Sequence, residues 1–163
     1  IEHPEPSTVP PMPDIAGKIS GKTFYFGDRE GEDNIWGLES VTLDFTGEEE
    51  CRISYSFSGE VDLDAFGCDA VFRTSMMAEK GLTALETAVG LDGVFRGTSV
   101  DAEVGKVSYF ARGQWKDDTT FRVEVKGGWC LSENAVFTFK DEQNIDFSYR
   151  ALFYRFSLTG ASR

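Results

Sequence analysis

The stretch Ser40–Phe57, SVTLDFTGEEECRISYSF, decides the fold. Val41, Leu43 and Phe45 alternate with Thr42 and Asp44, and Ile53, Tyr55 and Phe57 alternate with Arg52, Ser54 and Ser56. A period of two sends successive side chains to opposite faces of a strand, so each run has one apolar and one polar face. The TGEEE between them is polar and carries a glycine, which makes the pair a hairpin. Strands with one buried and one wet face pair antiparallel.

The same alternation recurs down the chain. EVDLDAF sets Val61 and Leu63 against Asp62 and Asp64. TFRVEVK sets Phe121, Val123 and Val125 against Arg122, Glu124 and Lys126, and NIDFSYR sets Ile145, Phe147 and Tyr149 against Asn144, Asp146 and Ser148. Turn-rich segments such as WKDDTT and KDEQN separate the runs. Arg73–Gly90 fits less well: Ser75 is placed to cap a short helix over Met76–Lys80, while Leu85, Thr87, Val89 and Leu91 alternate like a strand. The fold class expected is all-β, a single antiparallel barrel of eight to ten strands, lipocalin-like and up-and-down. Its interior holds Val41, Leu43, Phe45, Ile53, Tyr55, Phe57, Phe121, Val123, Val125, Phe137, Phe139, Ile145, Phe147 and Tyr149. A barrel of this size is either filled by side chains or holds one small ligand. Large inner residues with few polar groups favour filling.

Residues 1–14, IEHPEPSTVPPMPD, carry all five prolines and little to bury, and read as an extended linker or arm. A frayed terminus is the other reading. The division expected is an arm over residues 1–15 and a barrel over 16–163. Just beyond, Ala16–Thr23 reads AGKISGKT, a relaxed phosphate-loop pattern. Such a loop follows a buried strand and opens a helix. Here the Pro-rich segment precedes it and TFYF follows, so Lys22–Phe26 is read as the start of the first strand.

Composition excludes several classes of function. With 163 residues, a net charge of −12 and 40% apolar residues, the chain suits one folded domain, and its charge opposes binding to nucleic acid or an anionic membrane. The one histidine, His3, lies in the Pro-rich arm, which removes Ser-His-Asp, Cys-His and His-containing zinc sites from the barrel. Cys51, Cys68 and Cys130 read as free thiols or as one disulfide plus one thiol, and leave the compartment open. DREGEDNIWGLE (Asp28–Glu39) has acids at calcium-loop positions but Asp33 where that loop needs glycine, so it reads as a solvated acidic loop. No serine has a lysine three residues later. The expectation is therefore no catalytic residue, metal or cofactor. Four residues are candidates for an interface or ligand: Arg96, Arg112, Trp115 and Trp129. Their plainer roles are surface ion pairs for the arginines and core packing for Trp115, which shares the parity of Val107 and Tyr109.

A family likeness rests on three segments. ISGKTFYF (Ile19–Phe26), VGLDGVFR (Val89–Arg96) and ARGQWKDDTTFRVEV (Ala111–Val125) resemble segments of the C-terminal β-barrel domain appended to serine hydrolases of the class C beta-lactamase and penicillin-binding-protein type. D-aminopeptidase-like enzymes share that architecture. The likeness runs from about Ala16 to the C-terminus in order and spacing. It implies a non-catalytic accessory barrel that docks on the parent's catalytic domain and shapes substrate access. The family's catalytic Ser-x-x-Lys belongs to the other domain, so no catalytic residue carries over. Two alternatives stand beside it: a lipocalin-like binder of a small apolar molecule, and a module that self-associates through edge strands or an aromatic patch.

Overall fold

Ser40–Phe57 forms the expected hairpin: Val41 lies opposite Tyr55 and Leu43 opposite Ile53, all four buried. The computed structural model describes residues 5–27, 29–59, 83–102, 105–127, 132–151 and 154–163. One helix, α1 (Asp14–Ile19), precedes the strands β1 (Thr23–Phe26), β2 (Leu38–Asp44), β3 (Glu50–Phe57) and β4 (Ala84–Gly90). They are followed by β5 (Arg96–Ala102), β6 (Gly105–Trp115), β7 (Thr120–Lys126), β8 (Ser132–Phe139), β9 (Asn144–Arg150) and β10 (Arg155–Ser162). The strand reading of Val61 and Leu63 and the helix over Met76–Lys80 lie outside the described residues, as do Cys68 and Cys130.

The sheet order is β4-β3-β2-β1-β10-β9-β8-β7-β6-β5, with a further pairing of β4 and β6. That last contact, Gly90 opposite Arg112, closes a ring of nine strands and leaves β5 as an extra strand on β6. The described residues thus form an all-β barrel of nine strands with one extra strand beside it, within the expected range. One seam departs from antiparallel order, because β4 and β6 are separated in sequence by one strand and so run the same way.

Each of the fourteen residues assigned to the interior is buried. The interior is aromatic: Phe24 meets Phe139 at 5.7 Å between ring centroids and Phe137 meets Phe147 at 5.1 Å. Thr87 and Tyr109 share a 2.6 Å hydrogen bond inside, and the Tyr149 hydroxyl donates to the Glu133 carboxylate. Burial pushes the Tyr109 hydroxyl up to about 12, and raises Glu133 above the usual carboxylate range. Cys51 is a buried free thiol that burial, then the neighbouring carboxylates, hold protonated.

Two expectations are corrected. The acidic segment Asp28–Glu39 is not wholly a solvated loop, because Ile35 and Trp36 turn inward and Trp36 is fully buried. Its indole meets Tyr149 at 4.1 Å and Phe156 at 4.7 Å, edge to face in both cases. Asn34 secures the turn by bonding both the N–H and the carbonyl of Leu38, each at 2.9 Å. The Pro-rich arm likewise ends in α1, which buries Ala16 and Ile19, while Val9, Met12 and Ile15 pack on the core. In AGKISGKT the helix therefore precedes the Gly-Lys-Thr and β1 follows it, the reverse of a phosphate loop. The Gly21 N–H is already bonded to the Leu43 carbonyl at 2.8 Å.

Trp36→Ala removes the largest fully buried side chain among the described residues and leaves a cavity among four rings. We expect a loss of about 3–5 kcal/mol, read as a lower urea midpoint with an unchanged slope.

Candidate functional site at the barrel seam

The seam is built by the turn between β4 and β5. Gly90 is required there, since a Cβ would sit 1.8 Å from the Val94 carbonyl oxygen. Gly93 has φ +83°, a left-handed conformation that favours glycine. Between them Asp92 is 2% exposed. One of its carboxylate oxygens accepts the Val94 N–H at 3.1 Å and the other accepts Arg96 Nη2 at 2.9 Å. Arg96 also donates to the Val94 carbonyl at 3.2 Å and lies 3.5 Å from Glu50 on β3. One guanidinium thus holds the turn to the neighbouring strand. Burial opposes ionisation of Asp92, but the Arg96 and Val94 hydrogen bonds outweigh it and keep the carboxyl below its ordinary range.

Arg112 approaches the same turn from β6. Its Nε and Nη2 reach Glu124 Oε2 at 2.9 and 2.8 Å, and its Nη1 donates to the Gly93 carbonyl at 3.2 Å. Arg112 and Lys126 both lie over the Phe95 ring, at 4.5 and 4.7 Å from its centroid. Burial raises the Glu124 carboxyl, and Arg112, with Ser132 and Lys126, more than offsets this, so it too lies below its ordinary range. The arm crosses the turn: the Ser7 N–H and hydroxyl both donate to the Asp92 carbonyl, at 2.9 and 2.7 Å. Between arm and barrel lies an open cleft of about 340 Å³, lined by Ser7, Pro10, Leu91, Gln114 and Arg122 besides Arg112 and Glu124.

The structure therefore brings Arg96 and Arg112 to one turn, each in ion pairs. Trp115, three residues beyond Arg112, is half-buried among Phe45, Phe121 and Phe139 at 5.4, 5.2 and 5.9 Å. Trp129 lies outside the described residues. Sequence reasoning did not single out Asp92, Glu50, Glu124 or Ser7. The signal for the three acids was the partner that each guanidinium needs once its neighbours exclude water, and Ser7, which bonds the Asp92 carbonyl, had none. Among the described residues no group of three or more His, Cys, Asp and Glu is gathered as a metal site.

The three segments behind the family likeness meet at this end. Ser20 Oγ accepts the Phe45 N–H at 2.8 Å, and Phe45 packs on Trp115. Gly113 lies so close to Phe121 and Val89 that a Cβ would come within 2.5 Å of one and 3.0 Å of the other.

No protein-family model matches the sequence, and no curated protein is similar to it. Among solved structures, secretory abundant heat soluble protein 4 from Ramazzottius varieornatus is similar over 76% of this chain and 68% of that one. The identity is 10% and the TM-score 0.49. No residue role passes across such a likeness.

Arg96→Ala leaves Asp92 buried without its guanidinium, and we expect a loss of about 3 kcal/mol at pH 7. The folded pKa of Asp92 lies below its unfolded value, so its contribution is whole above the ordinary carboxylate range and fades as pH falls through the lower, folded value. Asp92→Asn should accordingly be less stable than the parent at pH 7, with the gap narrowing below about pH 4. Urea titrations across that range measure it.

Proposed function

We propose that this chain is a non-catalytic β-barrel module that works by docking, as the accessory domain of a serine hydrolase of the beta-lactamase type. Its partner is the catalytic domain of that hydrolase, and its role is to border substrate access. The observation that carries this reading is the state of the seam: the side chains capable of chemistry there are already held by neighbours. Arg96 is held by Asp92 and Glu50, and Arg112 by Glu124. The segments that carry the family likeness thus act in construction, fixing a rigid end. The aromatic interior supports the same reading, since side chains occupy the space a guest would need.

The isolated chain should hydrolyse neither nitrocefin nor a D-amino-acid anilide above the buffer rate. It should also leave the fluorescence of cis-parinaric acid unchanged. Turnover by the chain alone contradicts the proposal, and stoichiometric uptake of the apolar dye supports a ligand-binding barrel instead.

A further inference from the structure

The outer face of β7–β10 carries an arrangement of charge that an acidic protein has no structural need for. Arg150 on β9 and Arg155 on β10 are register partners, and both are exposed. Asn134 on β8 lies opposite Arg150, and its Oδ1 accepts Nε and Nη2 of the exposed Arg122 of β7 at 2.9 and 2.6 Å. Among the described residues, Arg122, Arg150 and Arg155 take no part in any ion pair. The acids on this face are engaged elsewhere, Glu124 with Arg112 and Asp146 with Lys140 at 2.9 Å.

Like charges directly opposite on paired strands repel. The chain has 28 acidic residues against 16 basic ones, so a single carboxylate at position 150 or 155 would relieve the repulsion. We propose that this arginine face is a docking surface for a carboxylate-rich segment of a partner protein. Guanidinium forks match carboxylates two hydrogen bonds at a time. From β7 to β10 the three strand spacings span about 14 Å, the reach of four or five extended residues. The net charge of −12 repels long polyanions and anionic bilayers, whereas a short acidic segment meets the arginines within a screening length. Of the three arginines only Arg122 also lines the seam cleft, and the inference stands whether or not the parent protein is a hydrolase.

The test is fluorescence anisotropy of a labelled ten-residue glutamate-rich peptide titrated with the full chain at low salt. Binding is expected to weaken at least tenfold in the double variant Arg150→Ser/Arg155→Ser. The control Lys18→Ser/Lys22→Ser, with the same change of charge, should bind like the parent. Arg155→Glu should also lose the peptide while its Tm rises by about 1–3 °C, because the new carboxylate faces Arg150. No binding by the parent, equal loss in the lysine control, or a lower Tm in Arg155→Glu overturns the proposal. So does a DNA duplex or a phosphatidylserine vesicle that binds the face as tightly as the peptide.

Discussion

The ion pair between Asp92 and Arg96 is the contact on which the barrel's closure depends. A sheet of ten strands in this order has two free edges, and β4 and β5 would each offer unpaired N–H and carbonyl groups. Closure requires the chain leaving β4 to turn outward, run along β5 and return as β6 beside the strand it left. A turn that tight leaves room for no side chain at Gly90 and buries the carboxylate at Asp92. Arg96 neutralises that carboxylate and reaches back to Glu50 on β3. The pair is more than a surface ornament, because losing Arg96 strands the Asp92 carboxylate out of water. β5 then serves the seam from outside, its Thr98 hydroxyl oxygen accepting the Ala88 N–H of β4 at 3.2 Å.

Closure and filling are linked. With the ring shut, the inward faces converge on a volume that phenylalanine, tyrosine and tryptophan occupy, and among them Thr87 bonds to Tyr109 and Tyr149 to Glu133. The two ends are finished differently. At one, α1, Phe45 and Trp115 cap the interior, with Ser20 tying the helix end to the strand. At the other, Trp36 folds in from an acidic loop and packs against Tyr149 and Phe156. On its outer surface the exposed arginines of β7–β10 stand out against an acidic chain.

Most of the barrel was legible in the sequence. Wherever the alternation was strict, as in Val41–Phe45, Phe121–Val125 and Ile145–Tyr149, the inward faces were read correctly, because burial on one face leaves a strand little freedom of register. Trp36 was missed because acids surround it in sequence, and a single inward-turned aromatic has no period to reveal it. The helix α1 was missed because six residues after a proline-rich arm give too few turns for a 3.6-residue stripe. The residues Arg96 and Arg112 were found from their type and setting. Their partners were not, since Asp92 reaches Arg96 only through the shape of the turn after β4, and Glu124 faces Arg112 only through the register of the β6–β7 hairpin. Arg150 and Arg155 lie close in sequence, yet their opposition depends on hairpin register, which their own residue types do not display.

The seam contact between Gly90 and Arg112 tests the account most directly. In a nuclear Overhauser experiment on the isotopically labelled chain, the closed barrel gives interstrand cross-peaks between the backbone protons of Gly90 and Arg112. Those of β4 with β3 and of β6 with β7 should appear beside them. If β4 shows cross-peaks only to β3, and β6 only to β5 and β7, the sheet is open. The closed, filled barrel and the role assigned to Asp92 and Arg96 would then be wrong.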